Sequence, residues 1–221
     1  MDERPSKGSP KTLVQCDFDG TITQRDVSSE LLARHARGNW KSHFKDYKEG
    51  RITVEQFSAR AFALVVESRS ILLRTARKTS ALRPGFKRFV ADCQRSEVEF
   101  VIVSNGLDFY IQALLEDWGL QSIEFHSACA VFNPNGLRIR YYDPEGHTLK
   151  GDLKEAYIMK FLARGDRVVY IGNGTSDIKA ALHAHRVWAT GDLLEHFRSR
   201  RIACCPYENF YDIAGAERLI D

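Results

Sequence analysis

Apolar residues along the chain follow two regimes. Through the first third they recur at helical spacing. A helix over 26–36 begins at Asp26 as a candidate N-cap, Gly38 interrupts it, and a second helix covers 40–47. Thr53-Val54-Glu55-Gln56 has capping-box spacing, and behind it Phe57, Ala61 and Leu64 share one helical face. A further helix over 71–77 ends before Pro84-Gly85, which punctuates the chain.

From Gly85 onward helices and strands alternate. Helix is predicted over 86–93, strand over 98–104, and helix along the Ile111, Leu114, Leu115, Trp118 stripe closed by Gly119. A strand starts at 123–125, and 131–142 reads as a hairpin around Asn135-Gly136. Helix over 151–162, strand over 168–172, helix over 176–184 and short strands at 187–190 and 202–205 complete the series. An earlier apolar run, 13–18, is too short for a helix and suits a buried parallel strand. The pattern predicts an α/β fold: a doubly wound parallel sheet formed by 12–23 and 84–221, with a small helical bundle, 24–83, inserted into it. Residues 1–11 are polar and are expected to be a flexible leader.

Composition narrows the function. The 221 residues are 43% hydrophobic and 28% charged, ordinary for a globular protein. A net charge of +3, from 32 basic and 29 acidic residues, is too small to favour a nucleic-acid partner. No apolar stretch approaches the roughly 20 residues that span a bilayer, so no membrane role is expected. Five cysteines, odd in number and without CxxC spacing, argue against a disulfide framework or zinc site and for a cytoplasmic, reducing setting.

Four segments carry chemistry. Leu13–Phe18 delivers Asp17 and Asp19 into the Gly20-Thr21 turn at the carboxyl end of a strand, where open parallel sheets bind ligands. Ser104-Asn105-Gly106, in a turn after the next strand, offers anion-binding donors, although the same composition makes ordinary turns. Lys154 lies in the first turn of a helix, a position unfavourable for a cation unless an anion is near. Asn173 and Asp177, in the glycine-rich loop after the apolar 168–172 strand, are hard oxygen donors suited to Mg²⁺; Asp177 also fits an N-cap. Combined, they describe phosphoryl transfer. Asp17 is the nucleophile, Asp19 the acid and base, and Ser104 and Lys154 take up phosphate charge. Asp17, Asp19, Asn173 and Asp177 would hold Mg²⁺.

These residues resemble the four motifs of haloacid dehalogenase superfamily phosphatases, and the helical insert resembles the cap of their phosphoserine-phosphatase-like branch. The resemblance implies an aspartyl-phosphate mechanism, with the Asp19 main-chain carbonyl as a metal ligand. Thr21, Asn105 and Gly106 fall within the matching motifs and are expected at the substrate. By similarity to phosphoserine phosphatases, Arg60 and Asp26 occupy the places of substrate-recognition residues; Arg60 is equally a solvated helix residue and Asp26 a cap. Ser104-Asn105-Gly106-Leu107-Asp108-Phe109-Tyr110 and the late Pro206–Ile213 segment are similar to the methionine-salvage branch, which acts on 2-hydroxy-3-keto-5-methylthiopentenyl-1-phosphate. Two departures stand out. Asn173 replaces the family's usual aspartate, which implies weaker Mg²⁺ binding, and residues 141–147 lack the cysteines common in that branch. The expected function is hydrolysis of a small phosphorylated metabolite, with phosphoserine hydrolysis or mere phospholigand binding as the alternatives.

Overall fold

From Leu13 to Phe18 every residue is buried, the polar Gln15 and Asp17 included, as a central parallel strand covered on both faces requires. In the computed structural model, which describes residues 11–213, this run forms β1 (Thr12–Cys16). The leader expected over 1–11 lies outside the described residues except for Lys11. β1 is flanked on one side by β2 (Glu99–Leu107) and on the other by β6 (Arg167–Gly172), both parallel to it. Beyond β2 lie β3 (Glu124–Val131), β4 (Arg138–Tyr142) and β5 (Thr148–Leu149). Beyond β6 lie β7 (Arg186–Ala189) and β8 (Cys205–Pro206).

The order among the described residues is therefore β5-β4-β3-β2-β1-β6-β7-β8. Six strands are parallel, whereas β4 pairs antiparallel with β3 and with β5, so the doubly wound sheet carries an antiparallel edge. Leu107, Phe109, Tyr110, Ile111 and Leu114 pack α6 (Asp108–Asp117) against the sheet, and Phe86, Phe89 and Val90 do so for α5 (Phe86–Arg95).

Between β1 and α5 lie four helices: α1 (Val27–His35), α2 (Trp40–Lys48), α3 (Val54–Phe62) and α4 (Arg69–Thr79). The two chain segments leading into and out of this bundle run side by side. Thr23 bridges Leu82, Gln24 N donates to Ala81 O (2.9 Å) and Arg83 N donates to Ile22 O (2.8 Å). The Thr53 capping box forms as the spacing predicts: the hydroxyl accepts from Gln56 N and Gln56 reaches back to Thr53 N.

The remaining helices are α7 (Leu153–Arg164), α8 (Ile178–Ala181) and α9 (Gly191–Ser199). Besides β5, which was not expected, and β8, which is shorter and later than the strand expected at 202–205, three features differ from the sequence reading. The segment Ser104–Gly106 continues β2 with a register shift instead of forming a turn. The helix expected over 176–184 opens with the 3-10 turn Thr175–Asp177 and is short. α9 was not anticipated; its buried Leu193 and Phe197 give too brief a stripe to declare a helix.

Candidate active site

All four chemical segments meet at the carboxyl end of the sheet. β1 ends at Cys16, and Asp17 N donates to Ile171 O at 2.9 Å, so Asp17 leaves the sheet beside β6. Its carboxylate lies 2.8 Å from Lys154 Nζ and is 5% exposed. Lys154, in the first turn of α7, is held at both ends. Its main-chain carbonyl accepts from the buried Gln15 amide at 2.9 Å, and its ammonium also meets Asp177 Oδ1 at 2.5 Å and Ser176 Oγ at 3.3 Å.

Burial pushes the Asp17 carboxyl up to about 7, with Lys154 opposing the rise and Asp177 adding to it. Burial alone would lower the Lys154 pKa, but the two carboxylates outweigh it and hold the ammonium firmly charged. Asp19 sits across the turn. Its Oδ2 accepts from Tyr110 OH and from Ser28 Oγ (3.1 Å), and its Oδ1 from Val27 N (3.3 Å). Burial and then the nearby Asp26 raise the Asp19 pKa well above the carboxylate range, against the hydrogen bond from Tyr110. That direction favours the protonated form, as a general acid requires. Gly106 makes the approach possible, because a Cβ there would collide with Tyr110 Oη and lie 2.9 Å from Asp19 Oδ2.

The cavity above these residues has a volume of about 340 Å³ and includes Asp17, Asp19, Asp26, Ser104, Asn105, Gly106, Lys154 and Asn173 in its lining. Asp26 caps α1 through Ser29 N (2.6 Å) at the cavity edge. Thr21 does not line the cavity; it is fully buried and donates to Asn173 Oδ1 at 3.1 Å, orienting that amide. Arg60, expected at the substrate, is exposed on α3 and absent from the lining, so the structure does not bring it to the site. Asn105 lines the cavity, yet its amide donates to Glu55 Oε1 (3.0 Å), away from an anion-binding task.

Asp177 also has a task other than the expected metal ligation. Its Oδ1 takes Lys154 and Tyr170 OH (2.8 Å), and its Oδ2 takes the main-chain N–H groups of Asn173 (2.9 Å) and Gly174 (2.7 Å). It anchors the loop and the lysine. Of the expected side-chain donors, the Asp17 carboxylate already meets Lys154 and the Asn173 amide oxygen accepts from Thr21, each with a further lone pair to offer a hard cation. Among the described residues no three His, Cys, Asp or Glu side chains gather as metal ligands. The set still fits Mg²⁺, which binds through one or two carboxylates and keeps several waters. It does so with one formal charge fewer than an aspartate at 173 would give.

Sequence reasoning missed Glu55, Tyr110, Tyr170 and Arg83. Arg83 donates to the carbonyls of Gly20 (2.5 Å), Thr21 (2.6 Å) and Glu208 (2.7 Å), tying the Asp19 turn to the late Pro206–Ile213 segment. Its place just before Pro84-Gly85 gave no sign of this.

A parallel sheet with paired aspartates after its central strand, a helical insert and a buried lysine facing them defines a haloacid dehalogenase-like hydrolase. The model of that family matches residues 14–182, and the chain belongs to it. More particularly, it is 31% identical to the 2-hydroxy-3-keto-5-methylthiopentenyl-1-phosphate phosphatase of Geobacillus kaustophilus (strain HTA426), over 92% of this chain and 94% of the relative. It is 26% identical to the Bacillus pumilus (strain SAFR-032) protein of the same name, over 92% of this chain and 89% of that one. A substrate-bound phosphoserine phosphatase shares the fold, with a TM-score of 0.68 at 19% identity over 93% of this chain and 98% of that one. Among the described residues no helix is long and apolar enough to cross a membrane.

Proposed function

We propose that the chain is a Mg²⁺-dependent phosphatase of a small phosphorylated metabolite with an uncharged, largely apolar leaving group, of the 2-hydroxy-3-keto-5-methylthiopentenyl-1-phosphate type. The observation that carries the substrate class is the cavity roof. Leu32, Phe44, Tyr47, Val54 and Phe57 line it from the insert, with Phe44 and Phe57 edge to face at 5.5 Å and Tyr47 stacked on Phe57 at 5.9 Å. A thioether against such rings gains about 0.3–1.5 kcal/mol per contact. Phosphoserine would need a cation for its carboxylate. Among the described residues no arginine is in the lining, and the insert's Lys48 pairs with Asp192 at 3.1 Å.

In this reading the Asp17 carboxylate attacks phosphorus while Asp19 gives its proton to the departing oxygen, breaking the P–O bond to the leaving group. Asp19, now a carboxylate, then takes a proton from water. That water attacks phosphorus and breaks the bond to Asp17, releasing inorganic phosphate. Ser104 and Lys154 take up charge on the phosphoryl oxygens in both steps. Bound Mg²⁺, held by Asp17, Asn173 and the Asp19 carbonyl, would favour the ionised Asp17 and offset phosphate charge. The five cysteines, free in the structure, suit a reducing cytosol.

The test is a kcat/KM comparison across phosphomonoesters, including phosphoserine and the methylthiopentenyl phosphate, with Asp17→Asn alongside. A preference for phosphoserine would overturn the substrate class. Full turnover by a folded Asp17→Asn variant would overturn the covalent route.

A further inference from the structure

Glu55 is a carboxylate in the wrong kind of place. It sits in the first turn of α3, 3% exposed, close to residues that must hold an anion. One oxygen does two jobs. Oε1 accepts from the Asn105 amide at 3.0 Å and from Leu153 N at 3.1 Å. The other, Oε2, is buried without a hydrogen-bond partner. A buried carboxyl with one oxygen unpaired is poorly explained by stability alone.

The Leu153 contact is the informative one. Leu153 is the first residue of α7, and Asp152 before it holds φ 64° and makes no side-chain capping bond. The Asp152 carboxylate instead pairs with Lys179 at 2.6 Å. The open N–H at the start of α7 is therefore capped from the inserted bundle, 98 residues away in sequence. The next residue is Lys154. A neighbouring contact pulls the same way, because Thr53 Oγ1 donates to Lys150 O at 2.8 Å. Tyr47 and Thr175 join their hydroxyls at 2.8 Å on the far side.

We propose that Glu55 is a positioning residue: docking of the bundle places its carboxylate on Asn105 and on the start of α7, and this completes the phosphate-holding arrangement of Ser104 and Lys154. The phosphate cradle is then assembled only when the bundle is seated. This role rests on the phosphatase reading for its kinetic consequence but not for its structural one.

Glu55→Ala, Glu55→Gln and wild type separate the possibilities. The glutamine keeps an acceptor oxygen for both donors, and the alanine keeps none. Expected for alanine is a loss of roughly tenfold or more in kcat with a smaller change in KM, as for misplacement of a catalytic group, and near-full recovery with glutamine. Amide exchange in peptides spanning Leu153 should quicken in the alanine variant and not in the glutamine variant, with no substrate present. Unchanged exchange and kcat in alanine would overturn the proposal, and so would a glutamine variant as impaired as alanine. If alanine does not fold, Glu55→Asp carries the same test, since it keeps the charge but falls short of both donors. Wild-type turnover of a generic aryl phosphate reports separately on the phosphatase reading.

Discussion

Replacing Lys154 by methionine should destabilise the protein in a way that depends on pH, and the structure fixes the direction. The ammonium, 3% exposed, lies between Asp17 at 2.8 Å and Asp177 at 2.5 Å. Asp177 survives its loss, because Tyr170 and two main-chain N–H groups still serve its oxygens. Asp17 loses its counter-ion while buried. Breaking one side of a buried pair costs about 3–5 kcal/mol. For a chain of this size that is a fall of roughly 6–20 °C in Tm.

With Lys154 present, burial holds the Asp17 pKa at about 7, and without it the pKa rises further. Well below that pH, folded wild type and variant both carry protonated Asp17, so losing Lys154 costs least there. Above it, wild type gains a paired carboxylate that the variant lacks. The Tm gap must therefore widen from about pH 6 to about pH 8.5, measured by circular dichroism in the presence of a chelator. The Asp17→Asn, Lys154→Met double variant should recover most of the loss, because the pair is removed together. A gap that is flat across pH, or that widens toward acid, would refute the reasoning.

Asn173→Asp should tighten Mg²⁺ binding by roughly an order of magnitude, read by calorimetric titration, because ligand charge count tunes the affinity of oxygen sites. Unchanged affinity would remove Asn173 from the metal site, and normal turnover of wild type at modest Mg²⁺ would dispose of a purely ligand-binding role. Gly106→Ala should lower kcat by about a hundredfold or more, since its Cβ would displace Tyr110 and Asp19, and general-acid catalysis is worth that much. Arg60→Ala should leave KM unchanged for every phosphomonoester tested, because Arg60 is exposed and outside the cavity.

What the sequence discloses here follows from how local each feature is. The apolar runs ending at Asp17 and Gly172 announce central strands because a buried parallel strand needs apolar residues on both faces. The Thr53 capping box is legible because both partners lie within four residues. The division of labour between Asn173 and Asp177 is not, since it depends on which oxygens the loop turns toward Lys154 and Tyr170. Glu55 reads only as a helix residue until folding sets it against Leu153. Tyr110 stands in the sequence only as the end of the Ser104–Tyr110 resemblance, and the missing side chain at Gly106 lets its hydroxyl reach Asp19.

Both ends of the inserted bundle are tied to Asp19 and its turn. Its exit strand carries Arg83, whose guanidinium holds the carbonyls of Gly20 and Thr21 immediately after Asp19. Its first helix begins with Val27 N–H and Ser28 OH on the Asp19 carboxylate. The bundle therefore cannot swing about these stems without changing the hydrogen bonds to the Asp19 carboxyl. Glu55 supplies the matching tie on the phosphate side, through Asn105 and Leu153. A lid built only to exclude water would need neither connection. This one meets Asp19 at its stem and, through Glu55, meets Asn105 and the residue before Lys154, so on the proposed mechanism its seating bears on both the proposed acid and the proposed phosphate-holding lysine.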